Sequence, residues 1–308
     1  MKTIKIIIAI WAIAALIAGV FGEVTVAGEL GSTTAGFLNI GVGARALGMG
    51  GAFTSIADNP SAVYWNSAGL RRMDSPQVQF SHQSWYQDVN IENLQVVFPG
   101  SRVSFGAGIT FLNYGEIQSY DENGTPGEEL SMYNLAATVS AATDITDNIT
   151  VGLSAKYIEQ SFDIVKGYAF AGDIGIMAGY GGVSFGLAAV NIGTKMRFET
   201  IEEDLPAAAR FGLSFRQLDN KALFSFEAYS PFKGQMSFHQ GLELNIHNQL
   251  CARTGLIYRT GTLADTNALS YNLGLGLGYG SGRFDYTFIP ADNYGTDAVH
   301  NFSISFSW

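Results

Sequence analysis

The sequence predicts an all-β fold: a transmembrane antiparallel β-barrel of about 14 strands with an N-terminal hatch segment in its lumen. Three observations carry this. A leader-like N-terminus is followed by no second apolar run of helical length. Apolar and polar residues alternate along nearly the whole chain after residue 76, the period of half-buried strands. The links between the alternating segments are short and long by turns, as in bacterial outer-membrane barrels.

The composition agrees. Charged residues make up only 14% of the 308, against roughly 25% in an average soluble domain, which is too few to coat a water-facing surface. Hydrophobic residues reach 47%, and glycine accounts for 37 positions. The 17 basic and 27 acidic residues give a net charge of −10, so the chain lacks the basic excess that nucleic-acid binding requires.

Residues 1–27 read as a signal peptide. Lys2 and Lys5 precede an apolar run over 6–20, and small residues follow. Cleavage is expected after Gly22 or Ala27. Beyond it no window approaches the ~20 apolar residues of a spanning helix.

Residues 28–75 form the expected hatch. They do not alternate, and glycines recur at 36, 41, 43, 48, 50 and 51. No G-x-G-x-x-G occurs among them, which removes the dinucleotide-binding reading. The glycines instead suit tight turns and close backbone contact inside a crowded lumen. Asp58, Asn59 and Pro60 signal a turn, and residues 61–65 a short helical turn.

Residues 76–308 form the barrel. Fourteen segments alternate, near 76–83, 91–98, 102–113, 129–142, 148–161, 167–180, 182–192, 206–217, 221–230, 236–247, 249–260, 268–280, 282–289 and 298–308. In the last, Phe302, Ile304, Phe306 and Trp308 alternate with Asn301, Ser303, Ser305 and Ser307. The polar faces are built from Gly, Ser, Thr and Asn, which suits a lumen better than a water-exposed sheet. Short links fall at 99–101, 143–148, 219–220 and 280–281, and long ones at 114–128, 193–205 and 290–297. Their phase places both barrel ends of the chain on one side, expected to be periplasmic. The terminal Phe306 and Trp308 match the aromatic ending that the barrel-assembly machinery recognises in such proteins.

Arg210, Arg216, Glu227, Glu243, Arg253, Arg259, Arg283 and Asp285 fall on polar faces. A basic residue facing lipid at mid-bilayer costs roughly 2–4 kcal/mol, so these are expected inside, ion-paired, seating the hatch. Catalysis is not expected. His82, His239, His247 and His300 are isolated, and His239 lies some 27 Å from His247 at ~3.4 Å per residue along one strand. The acidic runs at 128–129 and 202–204 read as solvated loop charge, and Cys251 as a small packing residue. No metal or cofactor is expected.

The strings GARALGMGGAF (43–53) and IADNPSAVYWNSAGL (56–70) resemble the signature of the PorV/PorQ family, itself similar to the FadL long-chain fatty-acid transporters. The resemblance implies a fourteen-stranded outer-membrane barrel whose N-terminal segment folds into the lumen. It marks Gly43, Arg45, Gly48, Gly50, Asp58, Tyr64, Trp65, Asn66 and Gly69 as hatch residues. One departure is Ser67, where the family reads proline. The leading functional expectation is a non-enzymatic accessory of type IX secretion, with a translocon and secreted cargo as partners besides outer-membrane lipid. The alternative is FadL-like transport of a hydrophobic small molecule. Transport of a fatty acid would need an apolar pocket, which Phe37, Leu38, Leu47, Met49 and Phe53 of the hatch could supply, but these are expected to pack the hatch itself.

Overall fold

A computed structural model describes residues 33–85, 89–260, 268–291 and 298–308. The expected leader and the first residues of the expected hatch lie outside the described residues. Alternating segments become sixteen strands: β1 (Gln77–Ser84), β2 (Asn90–Phe98), β3 (Val103–Tyr120), β4 (Pro126–Thr146), β5 (Ile149–Phe162), β6 (Val165–Tyr180), β7 (Val183–Gly193), β8 (Met196–Phe198), β9 (Ile201–Glu203), β10 (Ala208–Gln217), β11 (Ala222–Pro231), β12 (Ser237–His247), β13 (Leu250–Arg259), β14 (Ala268–Tyr279), β15 (Gly282–Ile289) and β16 (Val299–Ser307).

Fourteen of these form the wall. β1 to β7 and β10 to β16 pair antiparallel in chain order, β7 pairs with β10, and β16 pairs with β1 to close the ring. The remaining two, β8 and β9, make a small hairpin that hangs from the edge of β6 through Gly167 opposite Phe198. Side-chain direction follows the pleat. Phe105, Leu153, Ile174 and Leu275 point outward and are exposed, whereas Ser104, Ser154, Asp173 and Asn272 point inward and are buried. An outer face of this character is a lipid-facing wall.

Two connections differ from the sequence reading. The link 114–128 is mostly strand: β3 has 18 residues and β4 has 21. Only a tip at 121–125 remains, where the Asp121 carboxylate accepts from the backbone N–H groups of Asn123 and Thr125. These bonds hold that carboxyl below its ordinary range. Register shifts between Asn113 and Glu116, and between Gln118 and Tyr120, break the period of two and hide the strand. The second connection, 193–205, contains β8 and β9. The acids at 128–129 and 202–203 therefore lie on strands rather than in loops.

The turn links β2–β3, β4–β5 and β6–β7 lie at the end of the barrel where β1 starts and β16 stops, here the terminal end; the opposite mouth is the far end. At the terminal end the Trp308 N–H donates to the Pro76 carbonyl at 3.1 Å, and the Trp308 ring packs against Phe98 and Phe306. Truncation before Val299 removes the partner of both β1 and β15, so we expect no closed ring. The measurement is the heat-dependent gel mobility of folded barrels, which the truncated chain should lack; a retained shift would contradict the closure described here.

Candidate functional site

Residues 33–75 cross the ring from the far end to the terminal end, and polar side chains of the wall receive them. At the far end Thr34 Oγ1 and the Ala35 N–H both donate to Gln160 Oε1 of β5, at 2.7 and 3.0 Å. A 3-10 turn (Gly36–Asn39) carries Phe37 and Leu38 into an apolar cluster with Ile91, Leu112, Ala136 and Ile158. The helical turn Ala44–Gly48 is held by Ser303 Oγ, which accepts from the Ala44 N–H at 2.7 Å, and by Asn272 Nδ2, which donates to the Leu47 carbonyl at 2.6 Å. The segment's own core forms around Met49, Phe53, Ile56, Val63, Trp65 and Leu70.

Gly50 and Gly255 touch through their main chains: a Cβ at Gly255 would run into Gly50 N and Cα. Gly50 also has φ +68°, a conformation that glycine supplies at no steric cost. Gly43, with φ +84°, sits against the Gln79 side chain, Gly48 against the Gly274 backbone, and Gly69 against the Ala57 carbonyl. Tyr64 donates its hydroxyl to the Leu38 carbonyl at 2.9 Å, and Trp65 Nε1 donates to the Val42 carbonyl at 2.9 Å. Asn66 joins the segment to the wall: Nδ2 donates to the carbonyls of Thr54, Ile176 and Leu187, while Oδ1 accepts from the Ala68 N–H. That last bond caps the 3-10 turn Ser67–Arg72, so the serine at 67 still opens an ordered turn.

The charges form two groups. In the larger, Arg45 lies between Asp58 and Glu243, and Glu243 also accepts from Arg253 Nε at 2.7 Å. Arg253 reaches Asp285 at 2.8 Å, and Arg283 reaches the same carboxylate at 2.9 Å. Cys251 Sγ stands 2.7 Å from Arg253 Nη2 and 3.0 Å from Arg283 Nη2, so it packs among guanidinium groups rather than apolar ones. In the smaller group, Arg210 contacts Glu227 at 3.2 Å and lies over the rings of Tyr64, Trp65 and Tyr229. Glu227 Oε2 accepts from the N–H groups of Phe53 and Thr54. The bond from Arg210 joins wall to wall, and those from Glu227 join wall to inner segment.

Two of the expected charges are not buried with these groups. Arg216 is exposed and joins the larger group at its edge, through Asp58 at 3.5 Å. Arg259 is exposed at the far rim, where Nη1 donates to Ser270 Oγ. One group was missed. Lys156 on β5 and Asp173 on β6 are both buried and pair at 2.8 Å. Their inward parity was readable, since Lys156 alternates with Tyr157 and Leu153, but an isolated lysine and aspartate on separate strands carry no motif. The acids near 202–204 are also paired: Glu202 with Arg197, and Asp204 with Lys233 and Lys195. The Lys233 hydrogen bond holds the Asp204 carboxyl below the usual carboxylate range. Of the histidines, His239 sits between Ser237 Oγ and the Gly50 carbonyl, and His82 beside Glu92. Among the described residues no His, Cys, Asp and Glu side chains gather into a metal-holding group.

Two hollows lie against the wall formed by β2 to β6. On the outer face a hollow of about 490 Å3 is lined by Leu94, Val96, Ala107, Ile109, Val139 and Phe170, among others. The small side chains of Ala107, Ala137 and Ala155 form its floor between larger neighbours. Inside, a cavity of about 20 Å3, room for one water, lies between Phe37, Leu38, Val63 and Tyr64 of the inner segment and Ala136, Thr110 and Gln95 of the wall. Gly108, Thr138 and Lys156 border both.

A sequence model of an uncharacterised protein family, UPF0164, matches residues 25–258. The chain belongs to this family. Among curated proteins none matches in sequence. Solved structures match across nearly the whole barrel of this UPF0164 member. The Pseudomonas putida toluene transporter TodX superposes with a TM-score of 0.66 at 14% identity, covering 87% of this chain and 98% of that one. The Ralstonia pickettii toluene transporter TbuX gives 0.64 at 15% identity, covering 86% and 97%. A Pseudomonas aeruginosa FadL homologue gives 0.56 at 13% identity, covering 91% and 99%. At such identities the likeness is one of fold, and that fold is the FadL-like fourteen-stranded barrel.

Proposed function

We propose that this protein is a non-enzymatic passage for small hydrophobic solutes in the bacterial outer membrane. Both barrel ends of the chain face the periplasm, and residues 33–75 act as a hatch. The observation that carries the reading is the pair of hollows back to back on one stretch of wall. At Gly108 only main chain separates the lipid-facing hollow from the inner cavity, and that glycine abuts Val63 of the inner segment. A solute arriving from the far end would follow the apolar cluster around Phe37 and Leu38, then leave sideways into the membrane. The inner cavity holds no more than a water, so passage requires the Gly36–Asn39 turn to withdraw. The fold shared with proteins named as toluene transporters supports the same reading. In this reading Phe306 and Trp308 serve as the signal for the barrel-assembly machinery.

The secretion-accessory role and the PorV/PorQ assignment that implied it draw no support from these matches. The connection 114–128, the natural grip for cargo, is a paired hairpin with a five-residue tip, its ends at Asp121 and Thr125. Solute transport fits the fold and the paired hollows better. It is tested by the entry rate of labelled toluene into cells that have lost the gene and into cells complemented with it. Entry should fall on loss and recover on complementation, while entry of a hydrophilic solute stays the same. Equal toluene entry in both strains would overturn the reading.

A further inference from the structure

We infer that the passage selects uncharged solutes, and that Asp173 sets this selectivity by occupying Lys156. The inference rests on the transport reading above. Lys156 borders the inner cavity beside Leu38, Tyr64 and Ala136. A bare ammonium at an apolar cavity wall is a receptor for a carboxylate headgroup. Here that position is taken. Lys156 Nζ lies 2.8 Å from Asp173 Oδ2 and donates to Asn191 Oδ1 at 2.8 Å.

The local backbone fixes this arrangement. The register of β6 and β7 shifts between Gly172 and Ile174, so Asp173 faces a bulge in β7 that contains Asn191. Asn191 has φ +59°, and its N–H donates to Asp173 Oδ1 at 2.8 Å while Nδ2 donates to the Pro206 carbonyl. Bulges re-aim side chains in this way. The Asp173 carboxylate is thus pinned by a backbone donor on one oxygen and presents the other to Lys156. The next cation along, Arg210, is likewise held by Glu227. A fatty-acid anion entering the cavity would have to displace a carboxylate that is already in place, or be buried without a partner. An uncharged hydrocarbon meets neither obstacle.

The test compares two probes, ethylbenzene and laurate, for entry into cells carrying the wild-type protein, Asp173→Asn, or Asp173→Asn with Lys156→Met. The wild type should pass ethylbenzene and exclude laurate. Asp173→Asn, which removes the counter-charge of the ammonium while leaving its bond to Asn191, should raise laurate entry at least about tenfold, the worth of one charge-assisted hydrogen bond, and the added Lys156→Met should abolish that gain. Laurate entering through the wild type as readily as ethylbenzene would overturn the inference and leave the transport reading standing. An assembled Asp173→Asn barrel without the gain would overturn the role of Asp173. Entry of neither probe through the wild type would overturn the transport reading itself. If Asp173→Asn fails to assemble, as judged by heat-dependent gel mobility, the wild-type comparison still decides the selectivity.

Discussion

Excision of residues 33–75 is expected to turn a silent barrel into a conducting one. The wall closes as a ring without them, and its inner face is lined by small and polar side chains that water can wet. Planar-bilayer recordings should go from no resolved current to discrete, long-lived open steps. A milder route to the same end is Gly255→Leu. Its side chain must occupy the space of the Gly50 main chain, so the inner segment is pushed off the wall while its sequence stays intact. Silence in both proteins, once each is shown to be folded, would mean that something other than this segment blocks the lumen.

The second large effect is expected at Glu243. Its carboxylate accepts from Arg45 at 2.8 and 3.0 Å and from Arg253 at 2.7 Å. Arg45 belongs to the inner segment and Arg253 to the wall, so this one side chain fastens the two together. Glu243→Gln leaves two buried guanidinium groups short of a counter-charge. Breaking a buried pair from one side costs about 3–5 kcal/mol. The melting midpoint of the heat-modifiable form should fall accordingly. Arg259→Gln, at the exposed rim, should change stability by no more than about 0.5 kcal/mol. Equal effects from the two would show that burial of the network contributes little.

The wall was legible because each of its strands has an outer face that lipid holds to apolar residues, leaving a period of two that needs no partner to be seen. Where that period breaks, the reading broke too. The shifts around Asn113–Glu116 and Gln118–Tyr120 disguised the upper parts of β3 and β4 as a loop. The charges of the network could be assigned to the interior from the cost of the alternative, but their pairing could not. Arg253 meets Glu243 on the neighbouring strand and Asp285 two strands away, contacts fixed by register. Lys156 and Asp173 stayed unnoticed for the same reason, since they meet diagonally across the β5–β6 register, where Asp173 lies opposite Ser154 and Lys156 opposite Ala171. The inner segment has no period at all, and only its glycines hinted at how closely it meets the wall.

The path of that segment bears on how it can move. It precedes β1 in the chain yet lies inside a ring that is closed by the pairing of β1 with β16. The ring thus encloses a segment that reaches β1 from inside the lumen. Once sealed, the two ends of the segment are not equivalent. One continues into the wall beyond Arg71, which is fastened to Asp144 and the Gly100 carbonyl; the other meets the wall through Gln160 and the Asp204 carbonyl. If residues 33–75 act as the hatch proposed above, the element is expected to work as a bolt anchored at its base: withdrawal of the tip that bears Phe37 and Leu38 would break its bonds to Gln160 and Asp204 yet leave the β1–β16 seam closed.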